Sequence, residues 1–310
     1  MARGYAPGKV ILYGEHAVVY GRPAIAVPVT EVRAEVIVED ATSRPGITLY
    51  APDIGRTVDL ESAPRDEPLS LTVRNTLACL GIEVYAHPLK LTIHSSIPVA
   101  SGMGSGAAVA TAIVRALSEH LGRPLDAEAV SAIVYETEKV HHGTPSGIDN
   151  TVIAYEQPVI FCQGRPIAPF HAAKPFWLAI ADTGVPSLTK AAVADVRAAW
   201  QRDPVRCERI FCQIGMLVDG AQRAIEGGQV ASLGLLMDCN QDLLRELEVS
   251  SPELEALIEV AHREGARGAK LSGGGRGGNM IALIEPGSAE RIRRALIAAG
   301  ARSVIVTRVG

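Results

Sequence analysis

The stretch SSIPVASGMGSGAAVATAI, residues 95–113, constrains this chain more than any other. Leu89, Leu91 and Ile93 alternate with Lys90, Thr92 and His94 just before it, which predicts a half-buried strand, and an alanine-rich helical run follows from about Ser105 to Leu121, ending at Gly122. A chain turns this sharply from strand to helix where residues without a Cβ enter the left-handed backbone region, here Gly102, Gly104 and Gly106. The orphan N–H groups of the helix's first turn, with the helix dipole, then favour a polyanion. Ser105, at the helix start, is placed to ligate magnesium that travels with a nucleotide, because hard Mg²⁺ takes oxygen ligands together with phosphate oxygens. The stretch equally fits a turn that merely packs a helix on a strand, since a single glycine motif discriminates poorly.

Two better-known phosphate motifs compete with this reading. GxxxxGK[ST] is absent from the chain, which argues against a P-loop NTPase. Gly102, Gly104 and Ala107 match GxGxxA, and Gly273, Gly275 and Gly278 match GxGxxG, so a dinucleotide-binding oxidoreductase is a rival. That rival needs an acidic residue about 20 positions on, at the end of a second strand. Here Asp126 and Glu128 instead open a helix, with Asp126 as its N-cap. This demotes the rival without removing it.

Elsewhere Val32, Ala34, Val36 and Val38 alternate as a strand, a polar break spans residues 63–68, and an apolar helix over residues 69–80 stops at Gly81. After residue 176 a strand leads into helices, where Cys207, Ile210, Phe211, Ile214, Leu217, Val218 and Ala221 share one apolar face. The tail alternates strand and helix again, which predicts an α+β fold of helices layered on antiparallel or mixed sheet. Prolines at 166, 169 and 175 place the domain break there, with domains at residues 1–168 and 169–310. A formal charge of −4 without a basic block argues against nucleic acid as a partner. Five cysteines without CxxC spacing argue against a disulfide framework or a zinc site, and no run is apolar enough for a membrane span. The expectation is a cytoplasmic protein without membrane contact.

Two further constellations carry chemical groups. In YETEKVHHGTPSGIDN, residues 135–150, Glu138 falls near a helix end and Asp149 follows a Thr-Pro-Ser-Gly turn that exposes it on a loop. Phosphoryl transfer to an alcohol needs a group on the hydroxyl, a metal across the phosphates and positive charge near the transferred group, which Asp149, Glu138 and Lys9 are able to supply in turn. By spacing alone an Asx-turn residue at 149 and a solvated helix carboxylate at 138 fit better. His141 and His142, about 100° apart on a helix, cannot readily share one ion and read as helix-end histidines. The run KLSGGGRGGNMIAL, residues 270–283, links two strands either as a flexible hairpin or as a second wall of a phosphate site.

Three blocks in order, APGKVILYGEHAVVYG (residues 6–21), PVASGMGSGAA (98–108) and KLSGGGRGGNMIAL, resemble the GHMP kinase superfamily over nearly the whole chain. The combination is highly specific where each block alone is not. Galactokinases continue Gly-Glu-His with a Thr-Asp-Tyr type segment, whereas this chain has Ala17, Val18, Val19 and Tyr20. Phosphomevalonate kinases tend to carry tyrosine at the place of His16, and the related decarboxylases lack the Lys9 and Gly14–His16 arrangement. HHGTPSGIDN and ADTGVPSLTK (181–190) resemble the branch that phosphorylates mevalonate.

The resemblance implies a GHMP kinase fold, with an N-terminal ribosomal-protein-S5-like domain that binds ATP and a C-terminal ferredoxin-like domain. It implies ATP and mevalonate as substrates, Mg²⁺ as cofactor and a homodimer. Asp149 is then the general base or orienting carboxylate with Lys9 beside it, while Ser105 and Glu138 hold Mg²⁺. Glu15, His16 and Thr183 line the mevalonate pocket. Pro98, Val99, Ala100, Ser101, Gly102, Met103, Gly104, Ser105, Gly106 and Ala107 hold the triphosphate. The chain departs from the pattern at Gly106, where a second serine is common, at Arg276, which either adds a cation to the phosphate region or points to solvent, and in DNTVIAYEQP, which lacks a glycine pair.

Overall fold

The structure is a computed structural model that describes residues 1–41, 46–84, 87–98, 101–142, 145–187 and 189–310, without the side chains of residues 141 and 142. It divides into two compact units, and the chain visits them in alternation: Met1–Gly8, Val32–Pro98 and Gly104–Glu156 form the first, and Lys9–Glu31, Val99–Met103 and Gln157–Gly310 the second. Strands β1 (Ala2–Tyr13) and β2 (Ala24–Asp40) each contribute to both.

In the first unit, β3 (Ile47–Ala51), β4 (Arg56–Asp59) and β5 (Leu89–Ser95) join the second half of β2 in the order β4-β3-β5-β2. β5 runs antiparallel to β2, with Val36 opposite Ile93, and parallel to β3. The alternation read from the sequence holds: Ala34, Val36, Val38, Leu89, Leu91 and Ile93 are buried. Helix α1 (Pro68–Leu80) starts where the Glu67 carboxylate accepts from Ser70 N at 2.6 Å and stops at Gly81, φ 66°. Helix α2 (Ser105–His120) packs against β5 and α1, and against α3 (Ala127–His142) and α4 (Ile148–Tyr155). Its alanines permit close approach: a Cβ on Gly4 of β1 would lie 2.3 Å from Ala112 O. Asp126 Oδ1 accepts from Ala129 N at 2.9 Å and so caps α3 as expected.

In the second unit, β6 (Val159–Phe161) pairs with the first part of β2 and with β7 (Ala168–Pro169). A separate antiparallel sheet is built from β8 (Phe176–Asp182) and three strands near the C-terminus. Helices α5 (Thr189–Arg202), α6 (Pro204–Glu226), α7 (Val230–Glu246) and α8 (Pro252–Arg263) lead to β9 (Gly268–Ser272), β10 (Asn279–Ile284), α9 (Ala289–Ala298) and β11 (Ser303–Val309), and the sheet order is β11-β8-β10-β9. On α6 the expected face is core, except that Leu217 is half-buried. The edge strand β9 does not expose its unpaired donors, because α7 covers them: Asp238 Oδ1 accepts from Ala269 N and Gln241 Oε1 from Leu271 N, each at 2.9 Å. Among the described residues no helix is long and apolar enough to cross a membrane.

The oxidoreductase reading fails on this topology. Dinucleotide folds need a doubly wound, mostly parallel sheet, whereas β5 is parallel only to β3 and every pairing in the β8–β11 sheet is antiparallel.

Candidate active site

In the first unit the glycine loop does open a helix. Gly104 takes φ 72° as the N-cap of α2, so Ser105 is the first helical residue, half-buried, with the exposed Gly106 following it. Val99 and Ala100 of the expected phosphate loop lie outside the described residues, as do the side chains of His141 and His142. Glu138 projects from α3 and is 5% exposed, so the solvated helix carboxylate is excluded. A Cβ on Gly106 would lie 3.6 Å from Glu138 Oε1, which puts the first turn of α2 beside this carboxylate. Two hard oxygen donors there suit Mg²⁺, which is commonly bound by one or two carboxylates plus substrate phosphates.

Asp149 is not on a loop. Gly147, φ 85°, turns the chain so abruptly that α4 begins at Ile148, and Asp149 sits half-buried in its first turn. The turn residues predicted a loop, but a left-handed glycine also serves as a helix N-cap when tertiary packing supplies the partners. Here Asn150 Nδ2 donates to Ser131 Oγ and O on α3 at 2.8 and 3.1 Å, and Thr151 Oγ1 donates to Gly147 O at 2.8 Å. Asp149 is thus held by a helix fixed on α3.

In the second unit, segments of all three sequence blocks are stitched together. Lys9, 7% exposed, donates its backbone N–H to Met103 O at 3.0 Å. Asn279 Nδ2 donates to Ser101 O at 2.6 Å, and Ser272 Oγ to Ile11 O at 2.9 Å. Thr183 donates both its N–H and its Oγ1 to Gly278 O, each at 2.9 Å, which anchors it on the third glycine run. Glu15 and His16 meet the same run: His16 Nε2 lies 3.0 Å from Gly274 O. Burial pushes the His16 pKa down to about 4, with Arg276 and Lys270 adding to the effect against the Gly274 carbonyl, so the ring is neutral near pH 7. A carbonyl only accepts, so the proton sits on Nε2 and Nδ1 is an acceptor.

Sequence reasoning missed Lys270. Its ammonium forms a buried ion pair with Glu15 Oε1, the two side chains being 0% and 1% exposed, and also donates to Leu271 O at 2.5 Å. Burial raises the Glu15 pKa and lowers that of Lys270, and the attraction between them opposes both shifts. A signal was present: a lysine inside the strand GAKLS, next to a glycine run, is unusual unless paired. Arg276 is also resolved. Its guanidinium pairs with Asp195 of α5 and donates to Glu248 O at 3.2 Å, so it clasps the glycine run to its neighbours.

This fold and these residues match known proteins. The family model described as GHMP kinases N terminal domain matches residues 70–157, and that described as GHMP kinases C terminal matches residues 221–302. The chain belongs to the GHMP kinases. Among its relatives, mevalonate kinase of Pyrococcus horikoshii is 36% identical over 98% of this chain and 94% of that protein. That of Aeropyrum pernix is 35% identical over 94% and 90%. The crystal structure of L. major mevalonate kinase in complex with R-mevalonate superposes with a TM-score of 0.84 at 30% identity, covering 100% of this chain and 96% of that one.

Proposed function

We infer that the chain is an ATP-dependent kinase that transfers the γ-phosphoryl group to the 5-hydroxyl of mevalonate, giving 5-phosphomevalonate and ADP on the mevalonate route to isoprenoids. The near full-length likeness to mevalonate kinases carries the reading, and the joining of Glu15 to Lys270 and of His16 to Gly274 supports it. In this reading Asp149 orients the acceptor hydroxyl and takes its proton, while Lys9 stabilises charge on the transferred group. Ser105 and Glu138 would hold Mg²⁺, which when bound would supply electrostatic stabilisation of the phosphates. The N-terminal turn of α2 binds the triphosphate, and Glu15, His16 and Thr183 receive mevalonate. The same reading takes residues 1–168 as the ATP-binding domain, and the enzyme as a cytoplasmic homodimer.

Asp149→Asn tests the central role. It should fold and bind ATP while turnover falls by roughly 10²–10⁴-fold, the range for loss of a general base; near-normal turnover removes Asp149 from its role. ADP release measured against mevalonate, phosphomevalonate, homoserine and galactose tests the acceptor, and a preference for any of the last three overturns it.

A further inference from the structure

Glu15 is held on one side only. Lys270 takes Oε1, while Oε2 is buried and meets no donor at hydrogen-bonding geometry among the described residues; the N–H groups of Glu15 and Gly273 lie near enough only to favour its charge. A buried carboxylate oxygen without a donor is costly, and such an atom next to a run of glycines marks a place where a donor arrives from outside. Building on the function proposed above, we propose that Lys270 is a positioning residue for the acceptor: it fixes Glu15 through Oε1 so that Oε2 accepts a hydrogen bond from a hydroxyl of mevalonate.

The surroundings suit this role. Lys270 is rooted in the middle of β9, with Ala269 and Leu271 tied to α7 by the Asp238 and Gln241 side chains, so the ammonium stands on a rigid support. His16, the next residue, is fixed by Gly274 and leaves Nδ1 as a second acceptor. Two acceptors on adjacent residues of one turn select a ligand that carries hydroxyl donors. Without Lys270, burial of Glu15 is unopposed by that charge and pushes its pKa further up, so the carboxylate holds its charge less firmly.

The test compares Lys270→Met, Glu15→Gln and the double variant with the unaltered protein, reading KM for mevalonate, KM for ATP and kcat between pH 7 and 9. In Glu15→Gln, Lys270 captures the amide oxygen and turns the NH₂ toward the place of Oε2, so a donor replaces an acceptor. Mevalonate KM should rise at least about tenfold in both single variants, as expected for one charged hydrogen bond, with ATP KM within about twofold. In Lys270→Met the rise should shrink as the pH is raised and Glu15 regains its charge, whereas in Glu15→Gln it should not depend on pH. The double variant buries no unpaired charge, so it should fold and keep the raised KM. A mevalonate KM within about twofold of the original in any folded variant, or identical pH profiles for the two single variants, overturns the role of Lys270. Failure of the unaltered protein to release ADP with mevalonate is a separate outcome, which overturns the acceptor and this inference with it.

Discussion

The two glycine-rich loops look alike in the sequence and are built for different ends. In the loop that opens α2, Gly102 has φ 75° and a Cβ there would meet nothing within 4 Å among the described residues. In the loop between β9 and β10, Gly275 has φ 74°, and a Cβ there would lie 2.0 Å from Val249 O. At Gly102 glycine is needed for the backbone angle, and the described residues leave open space above it. In the second loop Gly273 is likewise open among the described residues, but Gly275, Gly277 and Gly278 need glycine for space as well, because Val249, Val185 and Ser187 press against them. Glycine content therefore does not distinguish a cradle from a scaffold; the neighbours do.

Substitutions probe that contrast, beginning with the most severe. Gly275→Ala forces backbone against backbone and adds left-handed strain, so chemical denaturation should show a loss of about 3–5 kcal/mol; a loss under about 1 kcal/mol would mean the second loop is as open as the first. Around the first loop, Ser105→Ala combined with Glu138→Gln should leave stability near normal while raising the Mg²⁺ needed for half-maximal activity at least about tenfold, the scale seen when groups that support a metal are altered. An unchanged Mg²⁺ titration would detach both residues from the metal.

His16 reports on the second loop through pH. Its folded pKa of about 4 lies below the ordinary 6.5, so the unfolded chain binds more protons in between. The stabilisation is complete above pH 6.5 and is lost as pH falls toward 4. Relative to pH 8, stability at pH 5 should drop by about 2 kcal/mol more in the original protein than in His16→Gln, and parallel pH curves for the two would show that the ring is not buried neutral against Gly274. The smallest effect is expected at Gly102→Ala, about 1 kcal/mol of strain with a raised KM for ATP, and a loss as large as that at Gly275 would erase the distinction between the loops.

Much of the local structure was legible. The alternation in β2 and β5, the helix stops at Gly81 and Gly122, and the Asp126 cap were all readable because each depends on residues close in the sequence. The family resemblance was legible too, since it rests on ordered blocks. What escaped the sequence reading was decided by burial. Glu138 looked like a solvated carboxylate because helix periodicity does not reveal what α2 places above it, and Asp149 looked like a loop residue because the anchoring of α4 on α3 through Asn150 and Ser131 is a tertiary event. The pairing of Lys270 is not legible in the sequence because its partner, Glu15, is 255 positions away.

By itself the sequence determined the α+β class, the glycine-punctuated turn into α2 and the residue types available for phosphoryl transfer, because these follow from local backbone preference and hydrophobic period. Only the tertiary structure decided which glycines are open and which are packed, that the His16 ring is neutral, and that Glu15 is held by Lys270. Those properties depend on desolvation and on atoms brought together from distant parts of the chain, and neither is encoded in any single stretch of it.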